Sequence, residues 1–394
     1  MSHAVKSISD NTEFLPFARP SISEEAIADV VTCLRSGWLV TGPKVQKFEE
    51  DLKNYLHCPY AHTLTSATAG LFYAVEALGI QAGDEVITTP MTFAATANSI
   101  AKQGAKPVFV DVEPGTYNMD VNRIEDVLTS KTKAIMPVHF SGLPVDLDPL
   151  YALAKKHNLR VIEDAAHAIG AEYKGKKIGS FGDIQIFSFY ANKTMTTGEG
   201  GCLTCADENL AKTISLYRFH GIDRPAWNRF GKNGSHEYEI VFPGYKANMM
   251  DIQAALGIHQ LKDLDSFIEK RQKLVTRYYE KLGDWSELKL PESPTYSHKH
   301  GWHLFAVQLL ENKAGLNRDQ FMAAMKEENI GTALHYKAVH LFPYYQNTFH
   351  YKRGDFPHAE AISDRIVSLP LFPTMTEADQ DRVIKAMGRV LKRV

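Results

Sequence analysis

Short apolar runs alternate with amphipathic segments over the first 250 residues of the chain. The runs are bounded by turn residues and predict buried strands, which fall at residues 62–65, 106–111, 133–140, 161–164, 184–190 and 201–205. Apolar residues spaced three or four apart predict helices at residues 23–36, 66–79 and 208–218, and residues 86–100 pair a strand with a helix. This alternation is typical of an α/β fold with a mainly parallel sheet and helices on both faces.

The pattern changes in the last third of the chain. A long amphipathic helix is predicted from Met250 to about Gly283. Short strands and helices follow, at residues 301–309, 318–328 and 359–367. We therefore expect a large domain, a linking helix and a small C-terminal α+β domain, at residues 1–250, 251–283 and 284–394.

Composition narrows the class of protein. A chain of 394 residues with 44% hydrophobic and 23% charged residues has the make-up of a globular protein, and its net charge of −2 gives no reason to expect a nucleic-acid or membrane partner. The four cysteines are too scattered for a disulfide framework, and the C-x-x-C at Cys202 and Cys205 lacks a second pair at zinc spacing, so we expect no metal site. The chain shows neither a signal-peptide pattern nor a long apolar run, and we expect it in the cytoplasm.

Residues that could carry chemistry concentrate in residues 160–201. Asp164 ends a predicted strand, where open α/β sheets place their sites, and Ser188 and Lys193 follow the next apolar run. A lysine with a lowered pKa is a nucleophile towards an aldehyde, and pyridoxal phosphate (PLP) is an aldehyde whose ring nitrogen needs a carboxylate partner. We therefore predict that Lys193 binds PLP and Asp164 pairs with its ring. His167 could donate to the phenolic oxygen or stack on the ring, and Ser188 could bind the phosphate.

A second element of this site is predicted where the strand at 62–65 meets a helix. Ser66, Ala67 and Thr68 are small residues at the helix start, where unpaired amides and the positive end of the helix dipole can bind a phosphate. Phe93, between the strand and helix of residues 86–100, is either a core aromatic or a ring-stacking residue.

The stretch IEDAAHAIGAEYKGKKIGSFGDIQIFSFYANKTMTTGEGG, residues 162–201, resembles the signature of the sugar aminotransferases of the DegT/DnrJ/EryC1/StrS type. The resemblance extends from about Phe17 to the C-terminus. It implies a fold-type I PLP-dependent transferase, with a seven-stranded sheet that is parallel except for one strand. It also implies that Lys193 forms an aldimine with PLP, that Asp164 pairs with the pyridinium nitrogen, that Ala67 and Thr68 bind the phosphate, and that Phe93 stacks on the ring.

The same resemblance implies a homodimer with shared active sites. Residues 242–257 match the family segment that reaches into the neighbouring subunit. Asn248 is the expected ligand of the partner's PLP phosphate, and Lys246 is an alternative.

Substrate contacts are expected in two polar segments. Residues 219–239 are long for a connector and offer His220 and Arg229, which are either substrate ligands or solvated loop residues. Residues 331–346 resemble the nucleotide-contacting segment of the family, and their charged and polar side chains could bind a phosphate or carboxylate. These side chains are His335, Lys337 and His340, with Tyr344 and Tyr345 nearby.

The predicted reaction is a ping-pong transfer of the amino group of glutamate to a keto-sugar, with 2-oxoglutarate released. The resemblance favours a nucleotide-linked 4-keto-sugar in lipopolysaccharide or other glycan synthesis, and the nearest likeness within the family is to enzymes that aminate a UDP-linked 4-keto-pentose. Alternatives are a keto-ulosonic acid, as in 8-amino-octulosonate synthesis, a keto-cyclitol, and a non-enzymatic regulatory relict of the fold. Relatives that dehydrate their substrate carry His in place of the motif lysine, so Lys193 favours transamination.

Overall fold

The computed structural model describes residues 13–223 and 237–393. The helices are α1 (Glu24–Ser36), α2 (Pro43–Leu56), α3 (Ala67–Ala77), α4 (Ala94–Lys102), α5 (Leu147–Lys156), α6 (Glu208–Tyr217), α7 (Asp251–Leu282), α8 (Glu311–Ala314), α9 (Arg318–Glu327), α10 (Pro343–Phe349), α11 (Pro357–Arg365) and α12 (Glu377–Val390). The strands are β1 (Tyr60–Leu64), β2 (Glu85–Thr88), β3 (Lys106–Phe109), β4 (Thr132–Ile135), β5 (Arg160–Asp164), β6 (Glu172–Tyr173), β7 (Lys176–Lys177), β8 (Ile184–Ser188), β9 (Gly201–Cys205), β10 (Leu288–Lys289), β11 (His298–Lys299), β12 (Phe305–Leu309) and β13 (Ile366–Leu369).

The main sheet has seven strands in the order β1-β9-β8-β5-β4-β2-β3. Strand β9 runs antiparallel to both of its neighbours, and the other pairs in the sheet are parallel. Strands β8 and β9 are buried along their whole length, because helices cover both faces of the sheet. The predicted α/β class, with one antiparallel strand in a seven-stranded sheet, is confirmed.

Local signals explain where the elements begin and end. Ser23 caps α1 by accepting a hydrogen bond from the amide of Ala26 at 3.2 Å, and the helix stops at Gly37, whose φ is 75°. The predicted helix over residues 359–367 was wrong at its C-terminal end. Ile366 and Val367 belong to β13, because these β-branched residues pair with β12 in the small sheet.

Helix α7 contributes to two regions of the core. Its first half packs on α1 and α2, while Leu274, Val275, Tyr278 and Leu282 pack in a second hydrophobic cluster with β12 and β13. Leu15 joins that second cluster, since its backbone is hydrogen-bonded to Asn329 and Gly331. The proposed domain limits at residues 250 and 284 stay a prediction.

The described residues were predicted to contact neither a membrane nor a metal ion. No helix there combines the length and apolar character needed to cross a membrane. Within the same residues, His, Cys, Asp and Glu form no group of three or more arranged to hold a metal ion.

Candidate active site

The C-terminal ends of β5 and β8 open into a cavity of about 450 Å³, between the start of α3 and the segment around residue 335. It brings together eight of the residues that the sequence singled out. They are Ala67, Thr68, Phe93, Asp164, His167, Ser188, Lys193 and His335. Residues from five separate stretches of the chain therefore converge on one site.

Asp164 is the last residue of β5 and is 5% exposed. Its Oδ2 accepts a hydrogen bond from the Thr96 hydroxyl at 2.7 Å, and its Oδ1 accepts one from the amide of Ala166 at 3.2 Å. Burial raises the pKa of Asp164, and these two hydrogen bonds and the nearby Lys193 oppose that shift. The carboxyl group is thus oriented by neutral donors and still lines the cavity.

Lys193 lies at the end of the turn that follows β8. Its amide donates to the carbonyl oxygen of Tyr190 at 2.9 Å, which sets the direction in which the side chain leaves the backbone. Burial of the amine lowers the pKa of Lys193 to about 7, against the opposing attraction of Asp164. About half of the free amine is therefore unprotonated at neutral pH, which is the form that attacks an aldehyde.

The opposite end of the cavity is suited to an anion. Ser66 caps α3 by accepting a hydrogen bond from the amide of Ala69 at 3.1 Å, and Ala67 and Thr68 form the first turn. These two residues line the cavity with the positive end of the helix dipole. The position of the turn is constrained by β9, because a Cβ on Gly201 would lie 2.5 Å from the amide nitrogen of Ala67.

Neutral imidazoles form one wall, with His167 and His335 in the cavity lining and His303 behind them. His167 Nε2 and the Tyr336 hydroxyl are 3.1 Å apart, and the His167 ring centroid is 4.4 Å from that of His303. His335 Nδ1 lies 2.9 Å from the hydroxyl of Ser368. Burial lowers the pKa of His335 to about 3 and takes those of His167 and His303 well below the usual value, with Lys193 acting in the same direction. The wall is therefore uncharged at neutral pH.

Phe93 lies at the mouth of the cavity and is 61% exposed. Its ring centroid is 6.0 Å from that of Tyr336, at an interplanar angle of 49°. An exposed aromatic ring at the mouth of a cavity offers a stacking surface rather than a core contact.

The structure places two of the predicted substrate residues in the 331–346 segment outside the cavity lining, and for Lys337 the predicted role stays a prediction. His340 is fully buried, and its Nε2 lies 3.0 Å from Glu360, so its side chain cannot contact a substrate in the cavity. The exposed Lys337 places its ammonium 4.9 Å from the centre of the Phe342 ring, away from the cavity lining. Only His335 of that predicted trio reaches the site.

The other predicted ligands lie elsewhere. Asn248 lines a separate cavity of about 340 Å³, where its amide donates to Thr41 and its carbonyl oxygen accepts from Lys246. His220 is exposed and outside the lining of the active-site cavity. Arg229 lies outside the described residues.

Several residues that line the cavity or contact its lining were missed by the sequence analysis. Thr92 and Thr96 are one helical turn apart, and their hydroxyls are 2.7 Å from each other, a spacing that could have been noticed beside Phe93. Tyr336 adjoins His335 and lay within the segment already chosen. His303 had no comparable signal, because it precedes a buried strand more than 100 residues from Lys193 and meets it only through the fold.

Comparisons with known proteins identify the family of the chain. The model of the DegT/DnrJ/EryC1/StrS aminotransferase family matches residues 20–388. The chain is 46% identical over 389 residues to the spore coat polysaccharide biosynthesis protein SpsC of Bacillus subtilis, covering 98% of this chain and 99% of SpsC.

Solved structures extend the likeness to three dimensions. The PLP form of Spr1654 from Streptococcus pneumoniae, described as a sugar aminotransferase, gives a TM-score of 0.88 at 32% identity, covering 96% of this chain and 99% of that chain. PseC of Helicobacter pylori, an aminotransferase involved in the biosynthesis of pseudoaminic acid, gives 0.90 at 28% identity, covering 97% and 100%. Together with the family match, these show that the chain belongs to the DegT/DnrJ/EryC1/StrS family and is a PLP-dependent sugar aminotransferase of fold type I.

Proposed function

We propose that this enzyme transfers the amino group of glutamate to the keto carbon of a nucleotide-linked 4-keto-sugar, for the synthesis of a glycan precursor. The observation that carries the proposal is the single cavity in which a partly unprotonated Lys193, the Asp164 carboxyl and the start of α3 meet. SpsC is named for polysaccharide biosynthesis and Spr1654 is described as a sugar aminotransferase, which supports an acceptor of the sugar class.

The residues of the cavity fit PLP from end to end. The amides of Ala67 and Thr68, with the Ser188 hydroxyl, would hold the phosphate. Asp164 would hold the ring nitrogen, while Phe93 and His167 would flank the ring. His167 Nδ1 is buried without a hydrogen-bond partner in the described residues, as expected of a wall completed by a bound group. When bound, PLP supplies an aldehyde for the amine and a ring that accepts electrons.

Lys193 has two tasks in this proposal. Its amine holds the cofactor between turnovers, and once displaced by the amino donor it takes a proton on Nζ and returns it. A pKa of about 7 suits both tasks, because a group that must accept and release a proton works best near the ambient pH. Asp164 keeps its orientation through Thr96 during these steps, so the charge beside the ring stays in place.

The proposal also specifies the acceptor, as a sugar with a keto group at carbon 4 and a linked nucleotide. Within the described lining of the cavity, Lys193 is the sole Lys or Arg, and the histidines of the wall are neutral. Hydroxyl groups of a sugar ring suit such a wall through neutral hydrogen bonds. The phosphates of a nucleotide would then lie beyond these residues.

We propose further that the enzyme is a homodimer in which Asn248 binds the partner's cofactor phosphate, with Lys246 as the alternative. Leu39, Val40 and Met250 are between 39% and 48% exposed, and the amide of Asp251 is hydrogen-bonded to Val40, so an apolar patch lies close to Asn248. Covering such a patch with a second copy is favourable. The four buried cysteines are all free thiols, which suits the reducing cytoplasm.

The test of the reaction is a pair of half-reactions. The enzyme is loaded with amine by glutamate, freed of excess donor, and offered UDP-4-keto-pentose, dTDP-4-keto-6-deoxyglucose or an 8-keto-octulosonate. Return of the absorbance band of the resting cofactor reports transfer. We expect fast return with a nucleotide sugar. Return with the octulosonate alone would replace the proposed acceptor by a keto-ulosonic acid, and a protein that never loses its band with glutamate would contradict the proposed donor.

The shared site is tested by complementation. Inactive Lys193→Ala chains are mixed with Asn248→Ala chains under conditions that exchange subunits. One of the two sites in a mixed dimer then has both Lys193 and the partner subunit's Asn248, and we expect activity to return. Absence of any return, with exchange verified by a mass tag, would contradict the shared site.

A further inference from the structure

His303 has no role in the function proposed above, yet it is the residue whose side chain contacts the amine of Lys193. Its Nε2 lies 3.5 Å from Lys193 Nζ, and the residue is 2% exposed. It stands two residues before β12, so it comes to the site from the C-terminal part of the chain. The distance is that of a long hydrogen bond.

The backbone of His303 is fixed from two sides. Its amide donates to the carbonyl oxygen of Ser141 at 2.9 Å, and its own carbonyl oxygen accepts a hydrogen bond from Arg271 at 3.2 Å. Arg271 is a buried guanidinium that also donates to the carbonyl oxygens of Trp302 and Leu371, at 3.2 and 2.9 Å. Because these anchors hold the backbone, the imidazole stays directed at Lys193.

The tautomer of His303 follows from its surroundings. Nδ1 is buried and has no hydrogen-bond partner in the described residues. Buried N–H groups without an acceptor are rarer in proteins than buried acceptors without a donor, so we assign the hydrogen to Nε2. That N–H can donate to the lone pair of an unprotonated lysine amine, whereas an ammonium has no lone pair to offer.

We propose that His303 is a further catalytic residue, whose Nε2–H group donates a hydrogen bond to the lone pair of Lys193 Nζ, favours the free amine over the ammonium, and releases that lone pair when the amine attacks. The proposal rests on the proposed function, which makes Lys193 the group that attacks the aldehyde and later carries a proton. His303 thereby opposes Asp164, whose charge favours the ammonium form of the lysine.

Other titratable groups face Lys193 or His303. Asp164, His167, His335 and Tyr336 line the same cavity, and Arg271 lies behind His303. His167 and His335 are neutral, because burial lowers their pKa, and burial raises the pKa of Tyr336. The groups that change charge near neutral pH are thus few, and a shift in the titration of Lys193 can be traced to the substituted residue.

The experiment measures how fast the full-length protein, freed of cofactor, attaches PLP at Lys193 as a function of pH. In this step Nζ forms its C=N bond to the aldehyde with release of one water. Its rate follows the unprotonated fraction of Lys193, so the wild type should reach half of its limiting rate near pH 7. The variants are His303→Leu, which removes the N–H, and His303→Gln, whose amide can place an N–H near the position of Nε2.

We expect the midpoint in His303→Leu to rise by about one pH unit, which is the scale of one hydrogen bond lost to the neutral form. Attachment at pH 7 should then be about fivefold slower. His303→Gln should stay close to wild type. The matched control is His300→Leu on the same segment, whose imidazole stacks on Trp302 at 3.6 Å and lies outside the cavity lining, and its midpoint should not move.

An unchanged or lowered midpoint in His303→Leu would overturn the proposal. Equal shifts in His303→Leu and His303→Gln would also overturn it, because they would indicate loss of packing rather than of a donor. If His303→Leu does not fold, His303→Asn replaces it, since the shorter amide does not reach Nζ. Attachment uses no amino donor, so a failure with glutamate would contradict the proposed function and leave this result standing.

Discussion

Glu163 and Asp164 are neighbours on β5, but their side chains point to opposite faces of the sheet. The carboxylate of Glu163 is 1% exposed and receives hydrogen bonds from three neutral side chains. The donors are His139 Nε2 at 2.8 Å, the Tyr151 hydroxyl at 2.6 Å and Gln185 Nε2 at 2.7 Å. The assignment of His139 is fixed because its Nδ1 accepts from the amide of Val145 at 3.0 Å.

Asp164 differs by having fewer donors and an open side. It receives hydrogen bonds from Thr96 and Ala166 and lines the cavity. A carboxylate has room for about four acceptor contacts, so Asp164 retains capacity for a bound group. Burial alone therefore does not separate a structural acid from a functional one. The difference is whether donors within the chain already occupy the acceptor positions of the carboxylate.

The largest effect on turnover is expected from substitution of Lys193, which lines the same cavity as Asp164. Lys193→Ala should lower turnover by about 10⁴-fold or more, because the variant loses both the nucleophile and the proton carrier. The protein should still bind PLP without a covalent bond. Cofactor absorbance of the desalted protein shows the binding, and mass spectrometry after borohydride reduction shows that no mass is added. Lys174→Ala, which removes an exposed lysine paired with Asp148, serves as the control. Turnover by Lys193→Ala at an undiminished rate would disprove the assigned role.

On the Asp164 face of the sheet, turnover should depend on the charge of the side chain rather than on its shape. Asp164→Asn keeps the size of the side chain but removes its negative charge, so it should lower kcat by about 10²-fold. Unfolding by urea should change little in comparison. Glu163→Gln is the matched variant one residue away, and a similar loss of kcat in both would show that the two faces do not differ in role.

On the Glu163 face of the sheet, a substitution should change the stability of the protein rather than its turnover. Glu163→Gln should lower the free energy of unfolding by about 2–4 kcal/mol, because the new amide N–H₂ faces buried donors and leaves them unpaired. Its kcat should stay within about threefold of wild type. Asp183→Asn is the control near the other end of β5, where the more exposed pair with Arg160 should contribute about 0–1 kcal/mol. Urea unfolding followed by fluorescence measures both, and equal losses would contradict the expectation.

The smallest effect is expected at Lys337. Its ammonium contacts the Phe342 ring and lies outside the cavity lining, so Lys337→Ala should change kcat/KM for the keto-sugar by about twofold or less. His335→Ala, two residues away and inside the cavity, is the comparison and should lower kcat/KM more. A tenfold loss in Lys337→Ala would restore this lysine as a substrate contact.

Half of the eight predicted residues that line the cavity are carried by one continuous stretch. Asp164, Ser188 and Lys193 lie within 30 residues of each other, and the strand ends that hold them follow from apolar runs. Their convergence in one cavity follows from the parallel pairing of β5 with β8. Ala67 and Thr68 were found because a helix start after a strand is itself an anion-binding structure.

The parts that the sequence could not predict depend on tertiary packing. His335 and His340 are five residues apart in one polar segment, and nothing in that segment tells which imidazole will be buried against Glu360. His303 and Thr96 meet Lys193 and Asp164 only when the chain has folded. In the sequence, a histidine before a buried strand gives the same signal whether its side chain packs in the core or contacts a site.

The close approach of Gly201 to the first turn of α3 has a thermodynamic consequence. With no Cβ between them, the strand packs directly against the helix start, and we expect the amides of Ala67 and Thr68 to be ordered before an anion arrives. The conformational entropy of that turn is lost during folding rather than during binding. The affinity of this end of the cavity for phosphate is therefore set mainly by desolvation and charge.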